Sequence, residues 1–166
     1  MRKSNKAKAV SEIVASASGR SRVVLADSHS LARGMLKQVI CQEPDLEVVG
    51  EAQDGHEALD LCRHLRPEVV LIEARMPKMD GIEATRRIKR EFPAIPVLVM
   101  NTLAEPDHLL EALEAGASGY VLKRSGPQQL RDAVRGALIG EYPLDEELTR
   151  QLLRRLADEA PNGSSP

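Results

Sequence analysis

No stretch of this 166-residue chain approaches the ~20 consecutive apolar residues that a membrane-spanning helix needs. The basic N-terminus lacks an apolar core followed by a cleavage site, which argues against a secretory signal. Cysteine is scarce. Cys41 and Cys62 fall in different helical patterns, far from a C-x-x-C spacing, and read as buried or half-buried reduced thiols. These absences point to a cytoplasmic location. No Gly-x-Gly-x-x-Gly follows the first apolar run and no Walker loop occurs, which disfavours nucleotide binding. Tryptophan is absent and aromatic residues make up 2% of the chain. The basic residues Arg2, Lys3, Lys6, Lys8 and Arg20 therefore have no aromatic neighbours, and 1–21 reads as a flexible basic tail rather than a nucleic-acid arm. A net charge of −2 gives no global pull toward nucleic acid either.

What is present is an alternation of short apolar runs and amphipathic stretches. The organising run is Val69 to Ile72, apolar and mostly β-branched, as suits a strand buried on both faces of a parallel sheet. Glu73 ends it, Pro77 and Gly81 punctuate the loop that follows, and Asp80 is placed to cap the next helix. Other strands are expected at 22–26, at 46–52 on an edge, at 95–100 and at 117–123. Helices are expected between them: 31–40, capped by Ser28 or Ser30 and using Leu31, Met35, Leu36, Val39 and Ile40 as the apolar face, then 57–65, 82–91, 107–115 and 127–138. Five such alternations with short connections define an α/β fold: a doubly wound parallel sheet of the flavodoxin-like (βα)5 type, strand order 2-1-3-4-5. After residue 140, 141–159 reads as a linker or an extra C-terminal amphipathic helix. Leu148, Leu152, Leu153 and Leu156 form a stripe suited to the domain itself or to a partner. The last residues, 160–166, read as a disordered end.

In such a sheet the strand ends gather at one rim, which brings together Asp27, Ser28, Glu73, Asn101, Thr102 and Lys123. Two carboxylates and a lysine there suit a catalytic pair, a hard-cation site or a structural ion pair. His29, His56, His64 and His108 show no metal-ligand spacing and are expected on helix or loop surfaces, while Met76 and Met79 read as packing. A haloacid-type hydrolase would need a second aspartate at a set spacing from Asp27, and none follows.

Four stretches carry a resemblance: Val-Val-Leu-Ala-Asp-Ser-His-Ser, Val-Val-Gly-Glu-Ala-Gln-Asp-Gly-His-Glu-Ala-Leu, Arg-Pro-Glu-Val-Val-Leu-Ile-Glu-Ala-Arg-Met-Pro-Lys-Met-Asp-Gly and Gly-Ala-Ser-Gly-Tyr-Val-Leu-Lys. In this order and spacing, 22–140 resembles a response-regulator receiver domain of the NarL/FixJ (LuxR-type) family. The resemblance implies a signalling module that accepts phosphate on an aspartate with magnesium. It makes Glu73 the phosphoacceptor-equivalent position, Asp27 and Ser28 the acidic pocket, Asn101, Thr102 and Tyr120 the switch-equivalent positions, and Lys123 the pocket lysine.

The chain departs from that pattern at three of these positions. The family has two adjacent acids after strand 1; here Ser28 follows Asp27. It has an aspartate where Glu73 stands, and Thr or Ser where Asn101 stands. Magnesium favours octahedral oxygen ligation, and Ser28 removes a full charge from its site, so Asp27 and Glu73 are expected to bind it weakly or not at all. The extra methylene of Glu73 displaces its carboxylate by roughly 1 Å, and such a misplacement costs in-line transfer ~10²-fold. The expectation is a non-enzymatic, atypical pseudo-receiver that acts through protein contacts without phosphorylation and without a cofactor. The alternative is a conventional regulator taking phosphate from a histidine kinase. The resemblance further implies an unidentified protein partner, and a homodimer formed through helices 31–40 and 128–139. No DNA-binding domain is evident in this chain, which reads either as free-standing or as part of a LuxR-type transcription regulator.

Overall fold

The computed structural model describes residues 19–160; the expectations for the rest of the N-terminal tail and for 161–166 lie outside them. Five strands, β1 (Ser21–Ala26), β2 (Leu46–Ala52), β3 (Val69–Glu73), β4 (Val97–Asn101) and β5 (Gly119–Leu122), form one parallel sheet in the order β2-β1-β3-β4-β5. Five helices alternate with them: α1 (Ser30–Cys41), α2 (Gly55–Leu65), α3 (Gly81–Glu91), α4 (Pro106–Glu114) and α5 (Pro127–Leu138). A sixth, α6 (Glu146–Glu159), follows. The flavodoxin-like order is the expected one.

The two-residue period of a strand sorts the core into two layers. Val23, Leu25, Val69 and Leu71 face α1 and α5, where Ile40, Leu130, Val134 and Ala137 complete one cluster. Val24, Ala26, Val70 and Ile72 face the other way, onto Leu59, Cys62, Ile82, Ile88 and Leu109 of α2, α3 and α4. The central strand β3 is buried throughout, as its unbroken apolar run requires. Asp54 and Asp80 cap α2 and α3 by accepting from the amides of Glu57 and Glu83.

Several local expectations are corrected. The residue preceding α1 is His29, and neither Ser28 nor Ser30 caps the helix. Leu31 and Met35 are exposed, so only Leu36, Val39 and Ile40 turn toward the sheet. Cys41 is exposed while Cys62 is buried. β1 already begins at Ser21, within the stretch read as tail.

The C-terminal helix lies on its own domain. Leu148 and Leu152 enter the cluster beneath α4, and Arg155 pairs with Asp107 at 2.7 Å. The segment before it runs along β5: the Tyr120 amide donates to Pro143 O at 2.9 Å, and the Asp145 amide to Tyr120 O at 3.2 Å. Gly119 permits this approach, because a Cβ there would stand 2.6 Å from Pro143 O.

Candidate functional site

The loop after β3 is folded back on the strand it leaves. The Gly81 amide donates to Ala74 O at 2.9 Å and the Gly55 amide to Met79 O at 2.8 Å. A Cβ on Gly81 would fall 1.9 Å from Glu73 O, so only glycine lets the start of α3 close against the strand end. Met76 and Met79 are buried beneath the loop as packing.

At the rim this loop frames, three charged side chains meet. Lys123, at the end of β5, places Nζ 2.5 Å from Asp27 Oδ2 and 3.0 Å from Glu73 Oε1. Asp27 is fully buried and Glu73 is 6% exposed. Glu73 Oε2 accepts from both the amide and the hydroxyl of Ser28, each at 3.2 Å. Asp27 Oδ1 accepts from the His29 amide at 2.9 Å, and Arg33 donates to Asp27 O at 2.8 Å. Each carboxylate thus gives one oxygen to the ammonium and the other to the Ser28–His29 turn. Burial opposes the Lys123 charge, but the hydrogen bonds to Asp27 and Glu73 outweigh it and raise its pKa above the ordinary lysine value.

A second network lies beside the first. Asn101 Nδ2 donates to the Tyr120 hydroxyl at 2.9 Å and lies 3.0 Å from His108 Nδ1. The other ring nitrogen of His108 contacts Arg75, and Glu105 Oε2 stands 2.9 Å from Nδ1. Tyr120 is fully buried, and that burial, only partly offset by the Asn101 contact, raises its pKa. Thr102 is exposed.

Of the six rim residues, Asp27, Ser28, Glu73 and Lys123 form one cluster, Asn101 joins Tyr120 in the other, and Thr102 joins neither. One histidine departs from the expected surface role, and a second keeps it while standing beside a carboxylate. His108 is 8% exposed and central to the second network. His29 is exposed, but its Nδ1 stands 3.7 Å from Asp27 Oδ1. Sequence spacing did not reveal His108, because its partners Arg75 and Asn101 come from the ends of two other strands. His29 had a signal, two residues from Asp27 in a tight turn.

A magnesium ion of the kind such pockets hold does not fit this donor set well. One expected acid is Ser28, and both remaining carboxylates already neutralise the Lys123 ammonium.

A five-stranded doubly wound parallel sheet with a lysine–carboxylate cluster at its C-terminal edge places the chain among the flavodoxin-like α/β proteins. The family model for the response regulator receiver domain matches residues 23–135, and the chain belongs to that family. It is 38% identical over 141 residues to the transcriptional regulatory protein LiaR of Bacillus subtilis (strain 168), covering 85% of this chain and 67% of LiaR. The chain therefore spans about two thirds of that relative's length. Among solved structures it superposes on a LuxR-family two-component response regulator from Aurantimonas sp. SI85-9A1, with a TM-score of 0.79 and 33% identity, over 83% of this chain and 99% of that one. The receiver domain of NarL from Mycobacterium tuberculosis aligns with a TM-score of 0.71 and 34% identity, over 74% and 98%. Among the described residues no helix is long and apolar enough to cross a membrane.

Proposed function

We propose that this receiver is an atypical one, a regulatory protein–protein interaction module that signals without being phosphorylated. One observation carries the reading: both oxygens of Glu73 are engaged, one by Lys123 and the other by Ser28. A phosphoacceptor needs a free carboxylate oxygen in line with its donor and a cation to share the developing charge. Glu73 has no free oxygen, and the cation beside it, Lys123, is already shared with Asp27. The Glu73 charge instead completes an internal ion pair at the position a phosphorylated relative would change.

The pocket rim is joined to β5 without a phosphate, since the Asn101 amide bonds the Tyr120 hydroxyl directly. On this reading Glu73 and Lys123 hold the surface in one conformation, and partners recognise that state. The roles of Asp27, Ser28 and Tyr120 follow as supports of a fixed pocket rather than as moving parts, and Thr102, exposed and outside both clusters, has no part in it. A protein partner contacts the module. A second copy would pair through α1 and α5, where Leu31 and Met35 on α1 and Ile139 just past the end of α5 are exposed.

The test is incubation with magnesium and either acetyl phosphate or beryllofluoride, read by backbone NMR at Glu73, Asn101 and Lys123. The expected result is unchanged spectra. Saturable, magnesium-dependent shifts reaching Tyr120 would overturn the reading in favour of a conventional phosphoacceptor served by a histidine kinase.

A further inference from the structure

A groove of about 590 Å3 runs between α5 and the segment that leads into α6. Val121, Ala133 and Leu144 are among the apolar residues that line it. Its charge is one-sided: Asp132 on α5 and Glu141, Asp145, Glu146 and Glu147 beyond it stand against a single cation, Arg150. That cation is taken by Glu147 at 2.8 Å. The two arginines of α5 are spent elsewhere, Arg131 on Glu43 and Arg135 on Glu43 and Asp45. Among the described residues Asp132, Glu141 and Glu146 have no cationic partner. An apolar lining with an uncompensated acidic rim selects a basic occupant.

We propose that the occupant is the basic stretch 2–8 of this same chain, which sets Arg2, Lys3, Lys6 and Lys8 against the acidic rim. Those seven residues carry four cations and no acid. They are also tethered close by. The Ser21 amide donates to Asp45 O at 2.7 Å, and Asp45 pairs with Arg135 at 2.8 Å. Arg135 lies one turn along α5 from Asp132 on the rim. The route from the start of β1 to the groove is thus one ion pair and one helical turn. The connecting residues 9–20 can span ~40 Å, far more than that route needs.

The tether decides between occupants. It holds the basic stretch at an effective concentration on the order of millimolar, so a contact too weak to retain a free peptide is still populated here. A separate basic protein has to displace the segment first, which makes 2–8 an internal competitor for the face formed by β5 and α5.

The test is a nitroxide placed at Ser4→Cys in the full chain, with the exposed Cys41 changed to Ser and the buried Cys62 left in place. Backbone NMR reads the line broadening that the label causes. The amides of Asp132, Glu141 and Glu146 should lose most of their intensity, while Asp60, on α2 across the sheet, keeps its own. Salt at about 1 M, where the screening length falls to ~3 Å, should restore the signals. Asp132→Lys combined with Glu146→Lys, both at exposed positions, should abolish the broadening at Glu141 and Val121; circular dichroism checks that the fold is kept. No broadening at the groove, or broadening that survives the salt or the charge reversal, would overturn the proposal. So would broadening in a mixture of nitroxide-bearing chains and separate isotope-labelled chains, since the occupant would then come from a second copy.

Discussion

Lys123 Nζ and Asp27 Oδ2 lie 2.5 Å apart across 96 residues of sequence, and the same ammonium is shared with Glu73. Lys123→Met therefore leaves two buried carboxylates facing each other with no counter-charge. That should cost about 3 kcal/mol in urea unfolding, and Glu73→Gln alone about 1–2 kcal/mol. The double variant should lose less than the sum, because the repulsion exposed by the first change is removed by the second. Strict additivity would show that the three groups do not act as one unit.

The pH dependence has a definite sign. The folded-state pKa of Lys123 is raised, so its stabilising contribution is complete below the unfolded value of ~10.4 and is lost as pH climbs through the folded value. The stability difference between wild type and Lys123→Met should stay flat from neutral pH to about 10 and shrink above it. Thermal melts across an alkaline series check this, and a difference already closing near neutral pH would contradict it.

Two glycines should respond oppositely to alanine. Gly81→Ala drives a Cβ into Glu73 O and should cost about 3 kcal/mol or more, with NMR shifts at Glu73 and Lys123. Gly34, inside α1 with nothing within 4 Å of its added Cβ, should gain roughly 0.5–1 kcal/mol.

Leu148 is 1% exposed at the base of α6. Leu148→Ala should loosen the docking of α6 on α4 at a cost of about 2–3 kcal/mol. Hydrogen exchange should then quicken at the Tyr120 and Asp145 amides, which bond across to the same segment. Unchanged protection there would show that the segment is held by its backbone bonds alone.

The two thiols should separate cleanly. Burial pushes Cys62 up to about 12, whereas Cys41 is exposed. A disulfide reagent at about pH 8 should titrate one equivalent quickly and the second only on unfolding. Two fast equivalents would mean that α2 opens readily around Cys62.

The sheet order was legible because each strand is an apolar run closed by a turn, and Glu73, Asp27 and Lys123 were legible because each ends such a run. What stayed hidden depended on contacts between distant segments. His108 looks like any helix-surface histidine until Arg75 and Asn101 close around it. The leucines of α6 form a stripe wide enough for two surfaces; the fold buries Leu148 and Leu152 and leaves Leu153 and Leu156 outward. The absence of a side-chain cap at His29 follows from tertiary use of Ser28, whose hydroxyl is spent on Glu73.

The pairing of the Pro143–Asp145 segment with β5 bears on how these molecules behave at high concentration. An open strand edge is a template on which another chain can grow, and here the amide and carbonyl of Tyr120, midway along that edge, are answered from within the molecule. The opposite border, β2, is guarded differently. Its register against β1 slips between Val23 and Val24, and Glu51 on it is tied to Arg33 and Lys37. With both borders unsuited to strand addition, self-association is left to the helical faces, and crowding should not push this domain toward fibres.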